Sequence, residues 1–120
     1  PYQAEAALGL RGLASGASAA ITVTTGDATP TAAWCTIGAA GDLSRLWAGA
    51  GYAVAGDILV LSTSVDANDV TVWDGVATSG SMVILQLGAA SRALDNSFDK
   101  LVLMYDGTQW VEIAFVSNGS

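Results

Sequence analysis

Two stretches of the chain gather oxygen ligands of the kind that hold a hard cation. Asp66, Asn68 and Asp69 stand together, as do Asp95, Asn96 and Asp99. Calcium is bound by such carboxylate and amide oxygens, but neither stretch has the ordered spacing and closing Glu of an EF-hand. Asp and Asn also favour turns, because their short side chains hydrogen-bond to nearby backbone. The loose spacing favours turns over a calcium site, and no metal is expected. Two carboxylates could also work as the acid and base of a glycosidase. Most Asp residues here, however, adjoin Gly, Asn or Ser, where a turn accounts for them.

Other catalytic chemistry lacks its parts. There is no His, so the commonest general base and the Ser-His-Asp and Cys-His arrangements are missing. With no His and one Cys, a zinc site is equally unexpected. Gly9 and Gly12 are not followed by the Gly-Lys-Ser/Thr ending of a phosphate-binding loop. Cys35 stands between Trp34 and Thr36 with no basic neighbour in sequence. It reads as a small buried residue rather than an activated thiol. The chain is expected to be no enzyme and to need no cofactor.

The four Trp residues, Trp34, Trp47, Trp73 and Trp110, admit two uses. They could form a platform on which sugars stack, or they could supply core and subunit contacts, where Trp buries the most area. All but Trp47 fall within or at the end of a predicted strand, which favours core or interface.

Charge narrows the partners. Four basic and eleven acidic residues leave a net charge of −7. Arg11, Arg45, Arg92 and Lys100 are scattered, whereas phosphate binding needs clustered cations. Neither nucleic acid nor an anionic membrane is an expected partner. No apolar run reaches the length of a transmembrane helix, and no export signal is visible. Hydrophobic residues make up 52% of the 120 residues and charged ones 12%, about half the roughly 25% usual in soluble domains. Mean hydropathy is +0.47. A lone domain of this size needs polar residues to cover itself, so burial of its surface against other chains is expected.

The elements that would position these groups are β-strands. Candidates run over Ala20–Thr25, Ala32–Ile37, Asp57–Ser62, Asp69–Trp73, Met82–Leu87, Lys100–Tyr105 and Gln109–Val116, with weaker ones at Leu43–Trp47 and Arg92–Leu94. They are short, rich in β-branched and aromatic residues, and bounded by Gly, Asp, Asn, Ser or Pro. The spacing predicts an all-β fold, a small antiparallel β-sandwich or barrel of jelly-roll type. Gly26-Asp27, Gly41-Asp42 and Gly56-Asp57 each read as a turn ahead of a strand. Before the β-domain (residues 21–120), residues 1–20 are rich in Ala, Gly and Leu, with Gly9, Gly12 and Gly16 preventing a long helix. They read as an extended N-terminal arm with one short helix at Ala4–Leu8.

The last hairpin is the clearest element. Lys100–Tyr105 leads through Asp106, Gly107, Thr108 and Gln109 into Trp110–Val116. Regular alternation would put Val102, Met104, Val111, Ile113 and Phe115 on one face. Leu101, Leu103, Tyr105, Trp110, Glu112 and Ala114 would then lie on the other. Both faces are apolar, whereas a pair wet on one side alternates apolar with polar. Both are therefore expected to be covered, the second by another subunit. Leu101, Leu103, Tyr105, Trp110, Val111 and Ile113 are the expected core or subunit-interface residues.

From Gly56 to Ile113 the chain resembles a module of tailed-phage virion structural proteins. In that module a Gly-Asp-x-hydrophobic strand is followed by a Val-x-Val segment and a short apolar strand. It closes on a hairpin with Tyr-Asp-Gly-Thr-x-Trp-x-Glu, matched here by Tyr105, Asp106, Gly107, Thr108, Trp110 and Glu112. The match covers about half the chain. Such modules occur in capsid decoration proteins, head fibres and tail fibres, commonly as trimers. No coiled-coil or collagen-like stalk accompanies the module here. The resemblance implies a homotrimeric capsid decoration (cement) protein at the virion surface. The arm, with Tyr2, Leu8, Leu10, Arg11 and Leu13, would then lie along the major capsid protein. The alternative it leaves open is a tail- or head-fibre module that binds a host-surface glycan through exposed Trp and Tyr.

Overall fold

A computed structural model describes residues 18–47, 54–64, 69–75 and 82–117. The fold is all-β, with eleven strands and no helix among the described residues. In chain order they are β1 (Ala19–Ile21), β2 (Asp27–Ala28), β3 (Trp34–Ile37), β4 (Gly41–Leu43), β5 (Arg45–Trp47), β6 (Ile58–Thr63), β7 (Val70–Trp73), β8 (Met82–Gln86), β9 (Ser91–Leu94), β10 (Lys100–Tyr105) and β11 (Trp110–Val116). An eight-stranded sheet runs β1-β3-β6-β10-β11-β8-β5-β2, and a three-stranded sheet runs β4-β7-β9. Their facing sides share one core. Leu43, Val70, Val72 and Leu94 of the small sheet meet Cys35, Leu59, Leu61, Leu101, Leu103 and Trp110 of the large one, all at most 2% exposed.

The expected antiparallel arrangement is corrected to a mixed one. Five pairings are parallel: β1–β3, β3–β6, β2–β5, β4–β7 and β8–β11. Four are antiparallel: β6–β10, β10–β11, β5–β8 and β7–β9. The cause lies in the route of the chain. After β3 it crosses to the small sheet for β4, returns for β5 and β6, crosses again for β7, returns for β8, and crosses for β9 before the final hairpin. A parallel pair requires a crossover: β4 lies in the connections of β2–β5 and β3–β6, β5 and β6 in that of β4–β7, β9 in that of β8–β11, and β2 in that of β1–β3. Among the described strands, only β10 and β11 are neighbours both in sequence and in a sheet.

Local chemistry sets where strands stop. The expected strand Ala20–Thr25 is cut short after Ile21. Thr24 and Asp27 exchange two backbone hydrogen bonds of 2.8 and 3.0 Å across Thr25 and Gly26, whose φ angles are 53° and 82°. Positive φ at both central residues marks the tight turn that suits hairpin twist. The expected element Leu43–Trp47 is in fact two strands in different sheets, divided at Ser44. Its amide and that of Arg45 both donate to the Gly26 carbonyl, at 2.7 and 3.0 Å. β1 begins at Ala19, so the end of the expected arm belongs to the large sheet. Tyr2, Leu8, Leu10, Arg11 and Leu13 lie outside the described residues.

Regular alternation in the last hairpin is also corrected. Tyr105 faces Trp110, Met104 faces Val111 and Leu103 faces Glu112, but Val102 faces Ala114 and Leu101 faces Phe115. Ile113 is thus the extra residue of a β-bulge, which reverses the facing of everything beyond it. Phe115 packs against the core instead of joining Val102, and Ala114 turns outward.

Candidate interaction surface

The two sides of the large sheet differ in what covers them. Its inner side is the core. On its outer side the register sets Trp34, Val60, Val102 and Ala114 in one row across β3, β6, β10 and β11. Ile58, Met104 and Val111 form the next row across β6, β10 and β11. None of these seven is fully buried, and none carries a charge. Ile113 at the bulge and Val116 are 53% and 51% exposed. A polar row borders them: Thr36 pairs with Ser62, and Lys100 opens the adjoining strand.

Trp34 reaches from β3 to β6 on this side. Its Nε1 donates to Ser62 Oγ at 2.8 Å, and Lys100 Nζ stands 5.9 Å from the ring centroid. Ser62 is only 1% exposed, a polar residue buried with its hydroxyl satisfied by the indole, as burial requires.

The expected core or interface residues divide between the two sides. Leu101, Leu103 and Trp110 are wholly buried. Tyr105 is half-buried, its ring 5.4 Å from that of Trp110. Val111 and Ile113 belong to the outer side. The Trp residues are split likewise. Trp110 is core, Trp34 lies on the outer side of the large sheet, Trp47 is half-buried, and Trp73 is 42% exposed. Cys35 is inaccessible, its Sγ donating to the Ala32 carbonyl at 3.3 Å. Burial pushes its thiol pKa up, the reverse of activation.

Six of the described acidic side chains hold backbone amides or arginines. Asp106 Oδ1 accepts hydrogen bonds from the Thr108 amide, the Thr108 hydroxyl and the Gln109 amide, each at 2.9 Å. These donors hold its carboxyl below the ordinary Asp range. In the Asp95–Asp99 loop, Asp99 Oδ2 accepts from the Asp95 amide at 3.1 Å and Asn96 Oδ1 from the Phe98 amide at 2.9 Å. Those are turn contacts. The Asp57 carboxylate, 3% exposed, accepts from the Val54 amide at 3.0 Å, and Asp74 accepts from the Leu87 amide. Arg45 and Asp27 pair directly across β5 and β2, at 2.8 and 3.1 Å. Asp66 and Asn68 lie outside the described residues.

No family model, curated protein or solved structure matches this chain. The candidate surface therefore rests on the chain's own geometry. Two clefts flank the segment that follows β1. One, of about 650 Å³, is lined by Ile21, Thr22, Thr25, Ile37, Asp42, Ser44 and Val70, among others. The second, of about 500 Å³, includes Thr24, Asp27, Thr31 and Trp47. Neither was foreseen from sequence, because each is lined by residues from three or more separate elements.

Proposed function

We propose that this chain is a virion structural protein that decorates a phage capsid, assembling as a homotrimer through the outer side of its large sheet. One observation carries the self-assembly: the two uncharged rows centred on Val60, Val102 and Met104. A sheet side meant for water carries polar residues in these places, and contiguous apolar surface of this kind marks an interaction site. The number three, and the capsid location, come from the resemblance of the Tyr105–Glu112 hairpin to tailed-phage modules.

On this reading the protein's work is mechanical rather than catalytic. The engagement of Asp27, Asp57, Asp74, Asp99, Asp106 and Glu112 in structural hydrogen bonds supports that. Three copies form a β-rich knob on the shell. The arm ahead of β1 lies along the major capsid protein and brings Tyr2, Leu8, Leu10, Arg11 and Leu13 to it. Burial of apolar surface across capsomer boundaries then stabilises the assembled shell, because a ligand that binds only the assembled state shifts the equilibrium toward it. The test is to add the purified protein to capsids stripped of decoration and image them. Regularly placed trimers are the expected result, and bare shells at saturating protein would overturn the reading.

A further inference from the structure

We propose that the outer face of the small sheet binds a neutral oligosaccharide, with Trp73 as the stacking surface and Asp42 as the hydroxyl acceptor. The inference stands whether or not the chain decorates a capsid. Pairing of β7 with β9 sets Val70 opposite Leu94 and Trp73 opposite Ser91. Val70 and Leu94 point to the core, so Trp73, three residues on, points to the far side with Thr71. There the indole is 42% exposed. Its neighbours on β9, Ser91 and Ala93, are too small to cover it.

The ring does not swing freely. Its Nε1 donates to Asp42 Oδ1 at 3.1 Å, from β7 to the adjoining β4. Asp42 Oδ2 has no hydrogen-bond partner among the described residues. An indole held in place, with a carboxylate oxygen and the Thr71 hydroxyl beside it, is the chemistry that recognises a pyranose. The apolar face of the sugar, lined by its axial hydrogens, stacks on the ring, and its equatorial hydroxyls find acceptors at the edge. A flat aromatic held in advance loses little entropy on binding.

Asp42 also belongs to the 650 Å³ cleft, together with Thr22, Thr25 and Ser44. A sugar stacked on Trp73 and held by Asp42 thus borders a recess of mixed lining, where Ile21, Ile37 and Val70 stand beside those hydroxyls, and the room it leaves for a second residue argues for an oligosaccharide over a monosaccharide. Charge decides the class. Asp42 is exposed and the chain carries a net charge of −7, so sialylated or sulfated chains are repelled and neutral ones are not.

The test uses the indole N–H signals of the full ¹⁵N-labelled chain, with Trp73→Phe identifying the Trp73 signal. Cellohexaose, maltohexaose, chitohexaose and mannohexaose are each titrated to millimolar concentration, with sialyllactose alongside. At least one neutral oligosaccharide should move the Trp73 signal saturably while sialyllactose does not. Asp42→Ala should weaken that binding about tenfold, as loss of a central contact does. Asp42→Asn, which keeps an acceptor for the indole and supplies a second check on folding, should retain more of it. A Trp73 signal unmoved by all four hexasaccharides overturns the proposal. So does one that moves equally in wild type and Asp42→Ala, or one that responds to sialyllactose alone.

Discussion

Arg92 and Glu112 close a two-pronged ion pair that ties the small sheet to the large one. Arg92 Nε and Nη2 reach the two carboxylate oxygens at 2.8 and 2.7 Å, from β9 to β11. The Gly88 amide adds a third donor at 3.2 Å, and the guanidinium lies 5.0 Å from the centroid of the Phe115 ring. Arg is suited to this place because its planar fork matches a carboxylate and its face stacks on an aromatic ring. The bulge at Ile113 makes the arrangement possible, since it returns Phe115 to the side of the sheet that Glu112 already faces.

The pair predicts how stability responds to acid. The Arg92 hydrogen bonds hold the Glu112 carboxyl below its ordinary range, with the Gly88 amide assisting. A depressed folded-state pKa contributes stability that is present above the unfolded value, near 4.3 for Glu, and is lost as pH falls through the folded one. Asp106, lowered by the Thr108 and Gln109 amides, acts in the same direction. Melting temperature should therefore fall between about pH 5 and pH 2. Glu112→Gln should flatten that fall and cost roughly 1–2 kcal/mol at neutral pH, a value discounted for the pair's partial exposure. A Glu112→Gln protein with wild-type acid sensitivity would show that the pair contributes nothing.

Trp110 should tolerate Phe far better than Ala. The side chain is wholly buried, and its Nε1 has no hydrogen-bond partner among the described residues. Trp110→Ala opens a large cavity and should cost roughly 3–5 kcal/mol, unfolding the domain or splitting the oligomer. Trp110→Phe keeps most of the volume and removes an unsatisfied N–H, whose burial carries a cost of its own. Denaturant unfolding followed by circular dichroism measures both variants. Equal losses would place a partner on the indole nitrogen.

Much of the β-architecture is readable from the chain because strand and turn signals are local. All seven principal candidate strands appear in the structure, and Asp106 and Gly107 mark the hairpin because Gly107 takes a φ of 105°. Partner direction is not local. Nothing near Trp34 announces that it will pair in parallel with Val60, since that depends on β4 leaving for the other sheet. The bulge at Ile113 was equally hidden, because one extra residue leaves the apolar pattern of Val111 to Val116 intact. The Trp73 and Asp42 pair was also missed. Its place at the end of a strand favours core or interface for Trp73, and its position beside Asp42 requires the β4–β7 register.

The outer side of the large sheet should hold the oligomer together. Met104 lies between Ile58 and Val111 on that side and is half-buried in the single chain. Met104→Glu leaves the core untouched but sets a charge in a surface that assembly would dehydrate, and an unpaired buried charge is strongly unfavourable. The wild type should sediment as a trimer, and Met104→Glu should remain folded yet sediment near the 12.1 kDa of one chain. A wild-type monomer at micromolar concentration counts against self-assembly in solution. A trimeric Met104→Glu protein would move the interface elsewhere.

A chelator should leave the protein unaffected. The Asp99 carboxylate and the Asn96 side-chain oxygen already accept backbone amides in a turn, and a cation would have to displace those contacts. EDTA is expected to leave the melting temperature unchanged. A drop of several degrees that Ca²⁺ restores would identify a calcium site, at Asp95–Asp99 or at Asp66–Asp69.

Capsid attachment and self-assembly should separate along the chain. The sequence ahead of β1 is interrupted by Gly9, Gly12 and Gly16, residues of low helix propensity. Leu8, Leu10 and Leu13 nevertheless place apolar side chains two and three residues apart, a spacing that in an extended chain reaches successive pockets on a neighbouring surface. Arg11 is one of only four basic residues among eleven acidic ones and is suited to a carboxylate on the shell. The competing use of such an arm is exchange between subunits of its own trimer. Deleting residues 1–16 distinguishes the two, because the cut stops short of β1, which starts at Ala19 and pairs with β3. The truncated protein should keep its fold and its trimer by sedimentation but fail to decorate stripped capsids. A truncated protein that turns monomeric would assign the arm to subunit exchange. One that still saturates the shells would assign attachment to the β-domain.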